Sequence, residues 1–149
     1  MLHELAHKYF AIKYGARAKF VAWPAGLALA LALVIVPQIF GWKGIFFIAP
    51  GAVYIYAMRP ISIKENGIIS LAGPATNIAL SLLFLYCALA LPVPAQLARV
   101  LAIGFFVNAW LAFFNLIPFY PLDGSKIFSW NKKALALLAV LAFALLLAV

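Results

Sequence analysis

Long apolar runs separated by short polar segments dominate the pattern of this chain. These runs cover residues 20–42, 44–58, 67–98, 100–123 and 134–149, and the fourth ends on its one charged residue, Asp123. A helix that crosses a membrane needs about 20 mainly apolar residues, and the first, third and fourth runs are long enough. Within the third run, Pro92 and Pro94 disfavour a continuing helix, so we expect this span to end near Leu91.

The two remaining runs are shorter and admit more than one structure. Residues 44–58 contain a Pro-Gly pair followed by VYIY, which fits a short helix, a re-entrant segment or a strand. Residues 134–149 can cross only with little tilt or with help from neighbouring helices. Ahead of all the runs, residues 1–14 predict a helix that Gly15 ends. We therefore predict a mainly α-helical, polytopic membrane protein with about five to six hydrophobic segments in a single domain, residues 1–149.

The composition excludes a soluble globular domain. Hydrophobic residues make up 68% of the chain and charged residues 9%, whereas about a quarter of the residues in soluble domains are charged. The net charge of +8 does not indicate a nucleic-acid partner, because the basic residues stand singly or in small groups between apolar runs. There they orient a membrane protein and meet anionic lipid of the bilayer. The single cysteine, Cys87, excludes an intrachain disulfide and predicts a packing role.

The basic residues are also distributed unevenly between the two sides of the membrane. If every run crosses, one side carries nine of them and the other carries two. The first set is Lys8, Lys13, Arg17, Lys19, Arg59, Lys64, Lys126, Lys132 and Lys133, and the second is Lys43 and Arg99. Because cytoplasmic loops carry an excess of Lys and Arg, we expect the first side to be cytoplasmic and the protein to be integral to the cell membrane.

The residues HELAH near the start of the chain contain both of its histidines. On a helix, His3 and His7 share a face and can bind one metal ion, while Glu4 lies beside them as a base for water. Random placement would separate two histidines by four residues roughly once in a hundred arrangements. The alternative is that both are interfacial polar residues at a frayed terminus. We favour the metal site, since ionisable residues at membrane depth are mostly functional.

A catalytic zinc ion usually has three protein ligands, so a third ligand is expected elsewhere. Glu65 stands in KENG, a turn-like segment, and is interpreted as a solvated loop residue. Asp123 is the better candidate, because it ends NLIPFYPLDG, where two prolines break the helix and Gly124 permits a sharp bend. The alternative role of Asp123 is to cap a following helix. Both Asp123 and HELAH border basic loops on the same predicted side.

A third motif, GPATN at residues 73–77, begins a span close to that side. Asn77 could hydrogen-bond a developing oxyanion or hold a substrate backbone. Equally, it could join helices next to small residues. The spacing alone leaves both roles open.

The three motifs in this order, HELAH, GPATN and NLIPFYPLDG, resemble those of the site-2 protease family of intramembrane zinc metallopeptidases. The resemblance runs from the first residues to about residue 130. It implies that zinc is the cofactor, bound by His3, His7 and Asp123, with Glu4 as the general base. It also implies that Asn77 faces the active site.

The resemblance further implies that Asn115 and Pro118 shape the loop that presents the third ligand. Between the first two motifs the family has membrane-embedded strands that pair with substrate, so FIAPGAVYIY and ISIKENGIIS could form a small β element. Family members also carry transmembrane sequence ahead of HExxH, whereas only two residues precede His3. We therefore expect the N-terminus to be truncated.

Together these observations predict a zinc metalloendopeptidase that hydrolyses a peptide bond in or near a transmembrane segment of a membrane-protein substrate. Its active site would face the cytoplasmic side. The alternative is a non-catalytic or truncated relative that acts as a binding protein. A transporter is less expected, because the spans contain few ionisable residues outside the motifs. Two histidines and a carboxylate also accept divalent ions other than zinc.

Overall fold

Helices predominate in the part of the chain that the computed structural model describes, which comprises residues 2–22, 35, 51–57 and 60–148. The elements are helix α1 (Leu2–Lys13), strands β1 (Ala16–Ala22) and β2 (Gly51–Ala57), and helices α2 (Ile63–Ala90), α3 (Ala95–Asn115), α4 (Asp123–Trp130) and α5 (Lys132–Leu147). Most of the predicted run 20–42, and residues 44–50 and 58 of the next run, lie outside the described residues.

Helix α1 ends as the sequence predicts. Gly15 has a φ of 76°, and its N–H donates to the carbonyl of Ile12 at 2.9 Å. Glycine takes this left-handed conformation without the steric penalty that a Cβ would bring. The cap turns the chain directly into β1, which starts at Ala16.

The two strands form an antiparallel ribbon in which Ala16 lies opposite Ala57 and Ala22 lies opposite Gly51. The described part of the run 44–58 is therefore extended.

The expectation of a strand in ISIKENGIIS is wrong, because helix α2 begins at Ile63. The Ser62 hydroxyl accepts the Glu65 N–H at 3.2 Å, and the Glu65 carboxylate accepts the Ser62 N–H at 2.9 Å. This capping box supplies partners for backbone groups that a helix start leaves unpaired. The assignment of Glu65 to a loop is wrong for the same reason, although its hydrogen bonds to Ser62 lie at an exposed position.

Helix α2 is the central element, since α1, α3 and α4 all pack against it. An apolar cluster of buried residues lies between α2, α3, α4 and α5: Ile78, Phe105, Ala109, Ala112, Leu116, Ile127, Leu135, Ala142 and Leu145. One polar contact crosses the α2–α3 interface, where the buried Ser81 hydroxyl donates to the carbonyl of Phe105 at 3.0 Å. A central helix with three packed neighbours provides a fixed frame for the side chains on its faces.

Two of the described helices, α2 and α3, are long and apolar enough to cross a membrane. Only 17% of the most apolar stretch of α3 is buried, and Val100 and Ile103 are more than half exposed. A core helix of a soluble protein would bury this face, so the exposed apolar surface favours a membrane. Helix α2 ends at Ala90 with Leu91 as its cap, as predicted.

The predicted five to six hydrophobic segments are not supported within the described residues, where two helices qualify. Helix α5 is apolar, but its 16 residues fall short of the roughly 20 that a perpendicular span requires. Where they are described, the other two predicted runs contain the end of β1, the helical residue Ile35 and strand β2.

Candidate metal centre

The three predicted metal ligands converge, although His3 and His7 lie on α1 and Asp123 opens α4. The two imidazole rings stand edge to face with centroids 4.6 Å apart, and their Nε2 atoms are 3.0 Å apart. One carboxylate oxygen, Oδ2 of Asp123, lies 3.2 Å from His3 Nε2 and 3.0 Å from His7 Nε2. Three potential donor atoms thus form a nearly equilateral triangle.

The size of this triangle fits a tetrahedral zinc ion. Zinc bonds to nitrogen and oxygen of about 2.0–2.1 Å place neighbouring ligand atoms about 3.3 Å apart, close to the observed 3.0–3.2 Å. His7 and Asp123 are buried, with exposed fractions of 7% and 8%. Two imidazoles and a carboxylate are a donor set of catalytic zinc sites, which keep a fourth position open. The residues present therefore fit zinc.

The loop before Asp123 presents the carboxylate through close backbone packing. A Cβ on Gly124 would lie 2.5 Å from the carbonyl carbon of Leu116, so only glycine allows α4 to start so near the end of α3. Leu116 is itself 2% exposed. The cap of α4 is Leu122, and the alternative role of Asp123 as the capping residue is therefore wrong.

The far end of α4 is held against α2 in a similar way. A Cβ on Gly67 would lie 2.7 Å from Cγ of Trp130, so the glycine makes room for the indole ring. Asn115, expected to shape the loop, donates its side-chain N–H to the carbonyl of Leu111 at 2.8 Å. Its side chain therefore bonds to the last turn of α3.

One face of α2 supports both imidazoles. Residues 69, 73 and 77 are spaced four apart and so share a face of the helix. The Nδ1–H of His7 donates to the carbonyl of Ile69 at 2.7 Å, and the carboxamide of Asn77 lies 3.1 Å from His3 Nδ1. Between them, a Cβ on Gly73 would lie 2.6 Å from His3 Nε2. Sequence reasoning placed Asn77 near the site but missed Gly73 and Ile69, although the four-residue spacing was visible.

The buried charges are mutually stabilised. Burial raises the pKa of Asp123, but its hydrogen bonds to His3 and His7 and the nearby Lys126 outweigh this and hold the pKa well below its usual range. Burial likewise lowers the pKa of His7, but the hydrogen bond and charge of Asp123 and the Ile69 carbonyl raise it overall. Lys126 Nζ lies 3.6 Å from Asp123 Oδ1. The site therefore favours an ionised carboxylate ready to bind a cation.

Glu4 lies in the first turn of α1 and is half-buried. Its charge contributes to the raised pKa of His7, so the Glu4 carboxylate interacts electrostatically with one of the potential ligands. Its role as a base stays a prediction, as does the oxyanion role of Asn77.

Comparison with known proteins supports a peptidase. The chain is 44% identical over 131 residues to the protein MJ0611 of Methanocaldococcus jannaschii, which is provisionally named a zinc metalloprotease. The matched segment covers 88% of this chain and 65% of that relative. No protein-family model matches the chain. No solved structure matches it either.

Proposed function

We propose that this chain is a zinc metalloendopeptidase that cleaves membrane-protein substrates in or near a transmembrane segment. The observation that carries the proposal is the convergence of His3, His7 and Asp123, whose donor atoms lie 3.0–3.2 Å apart. The chain contains two histidines, and both belong to this set of potential zinc ligands. The similarity to a relative that is provisionally named a zinc metalloprotease supports the same activity.

The three residues would hold zinc, and Glu4 would move the proton. When bound, zinc supplies Lewis acidity that polarises a scissile carbonyl and acidifies water. Glu4 takes the proton of the attacking water and passes it to the leaving nitrogen. The low pKa of Asp123 keeps that ligand ionised throughout, so Glu4 is the carboxylate available for proton transfer.

The depth of the site supports a membrane-embedded substrate. Glu65 is the last charged residue of α2, and Gly73 follows it by eight positions, which is about 12 Å along a helix axis. If α2 crosses the bilayer, the imidazoles packed on Gly73 lie well inside the apolar part of that helix. A substrate helix must unwind locally there, because its peptide bonds are otherwise shielded by their own hydrogen bonds.

A cleft next to the site offers a route for substrate. Its volume is about 460 Å³, and it is lined by Ile63, Asn66, Tyr120, Ser125, Lys126 and Ser129. Lys126 also contacts Asp123, so the cleft adjoins the metal ligands. The excess of basic residues near HELAH and α4 supports a cytoplasmic orientation of this end of the molecule.

The proposal is tested by measuring zinc content and peptide cleavage in parallel, with single-span transmembrane peptides reconstituted in liposomes as probes. Glu4→Gln should retain about one zinc per chain and lose at least about 100-fold in cleavage rate, since a general base contributes that much. Asp123→Ala should lose both zinc and cleavage. Glu65→Gln is the matched control and should keep both, because glutamine also completes a capping box.

Two outcomes would overturn the proposal. Cleavage by Glu4→Gln at the parent rate would reject the assigned base. Zinc bound by the parent without cleavage of any probe would favour the non-catalytic alternative, a membrane-embedded binding protein.

A further inference from the structure

Asn77 is a buried side chain whose amide is directed at a potential zinc ligand. It is 3% exposed, and its carboxamide nitrogen, Nδ2, lies 3.1 Å from His3 Nδ1. That atom is the ring nitrogen of His3 that does not belong to the donor triangle, since Nε2 faces His7 and Asp123. The Asn77 carboxamide therefore contacts the back of His3, which is the Nδ1 side of the ring that faces away from the donor triangle.

The chemistry of a neutral imidazole couples its two nitrogens. One nitrogen carries the proton and the other has the free lone pair, so the hydrogen bond at one nitrogen selects the tautomer. Binding of zinc through Nε2 of His3 requires the proton on Nδ1, and that proton requires an acceptor. A half-turn about the last side-chain bond exchanges the oxygen and the nitrogen of a carboxamide. Asn77 therefore becomes this acceptor when Oδ1 takes the place of Nδ2 opposite His3 Nδ1.

His7 shows the same arrangement with a different partner. Its Nδ1–H donates to the carbonyl of Ile69 at 2.7 Å, which leaves Nε2 free to face Asp123. Both back nitrogens are thus held from one face of α2, eight residues apart, with Gly73 between them giving the rings room. Zinc-binding histidines generally donate their other ring N–H to a carbonyl or carboxylate in this way.

We propose that Asn77 is a positioning residue whose carboxamide oxygen accepts the Nδ1 proton of His3 and thereby holds Nε2 in the tautomer that binds zinc. The inference rests on the proposed function, because it takes the donor triangle as a zinc site. It differs from the oxyanion role, in which the amide would donate to substrate on the Nε2 side of the ring. It also differs from simple helix packing, which would leave zinc affinity unchanged.

Zinc affinity, measured by competition with a chromophoric chelator in detergent, separates these roles. Asn77→Leu removes the acceptor while keeping the side-chain size, and should weaken zinc binding about 10- to 100-fold. Asn77→Asp keeps an acceptor and should bind zinc at least as tightly as the parent. The matched control is Asn108→Leu. The Asn108 side chain donates within α3, to the carbonyl of Gly104 at 2.8 Å, so zinc affinity should not change.

A direct measurement on the unaltered protein guards against a variant that fails to fold. In the zinc-loaded protein with ¹⁵N-labelled histidines, NMR should show the proton of His3 on Nδ1. A proton on Nε2 would overturn the proposal.

The outcomes also distinguish this inference from the proposed function. A parent that binds zinc and cleaves peptides, with Asn77→Leu equal to it in zinc affinity but slower in cleavage, would overturn the positioning role and leave the peptidase intact. A parent that binds no zinc would overturn both.

Discussion

Gly73→Ala places one methyl group where the two imidazoles approach α2. The added Cβ would lie 2.6 Å from His3 Nε2 and Cε1 and would also clash with His7, whereas ordinary contacts of this kind begin near 3.4 Å. The ring must therefore retreat by about 0.8 Å, several times the roughly 0.2 Å that metal–ligand distances tolerate. Because α2 is packed on three sides, it has little freedom to move instead.

We expect Gly73→Ala to lose at least about 100-fold in zinc affinity, which corresponds to about 2.8 kcal/mol. The assay is chelator competition on detergent-purified protein, with helical content and monodispersity checked first. Gly104→Ala is the matched control: its Cβ would lie 3.0 Å from ring atoms of Phe84 at the α2–α3 interface, away from the site, so packing is strained without touching a ligand. A folded Gly73→Ala protein with the parent's zinc affinity would refute the reasoning that the imidazoles rest on this glycine.

Three further outcomes are expected. Lowering the pH from about 8 to about 6 should weaken zinc binding. Burial lowers the pKa of His7, but Asp123 raises this pKa above its usual value. Because zinc binds only the neutral imidazole, protons compete better with zinc for His7 as the pH falls. A zinc affinity independent of pH would contradict this. Ser81→Ala removes the bond to Phe105 and should lower the free energy of unfolding by about 0.6–1.7 kcal/mol, measured by denaturant titration in detergent. Ser62→Ala removes the cap of α2 and should lower the free energy of unfolding by about 1 kcal/mol. An unchanged melting curve would contradict this prediction.

Local chemistry explains the features that could be predicted from the chain alone. The spacing of HELAH puts two imidazoles on one helix face whatever else the fold does, and glycine at position 15 marks the end of that helix because of its backbone freedom. The proline pair after Leu91 stops α2 in the same local way. Asp123 could be chosen because few acidic residues were available.

Helix and strand were confused where local signals compete. The family resemblance implied a strand in ISIKENGIIS, but the reciprocal bonds of Ser62 and Glu65 start a helix there. A capping box is visible in the sequence and favours a helix, whereas the β-branched residues favour a strand. Which preference prevails depends on what the helix then packs against. In this chain α2 gains contacts with three helices, which favours the helix over an isolated strand.

By itself, the sequence predicted a membrane protein and named the three potential ligands, because these predictions depend on composition and short-range spacing. Only the tertiary structure decided that the ligands form a triangle with sides of 3.0–3.2 Å, and that α2 supports their back nitrogens through Ile69 and Asn77. The physical reason is that these contacts, apart from the one between His3 and His7, join residues more than 60 positions apart. Their distances are set by how closely Gly73 and Gly124 let the backbones approach.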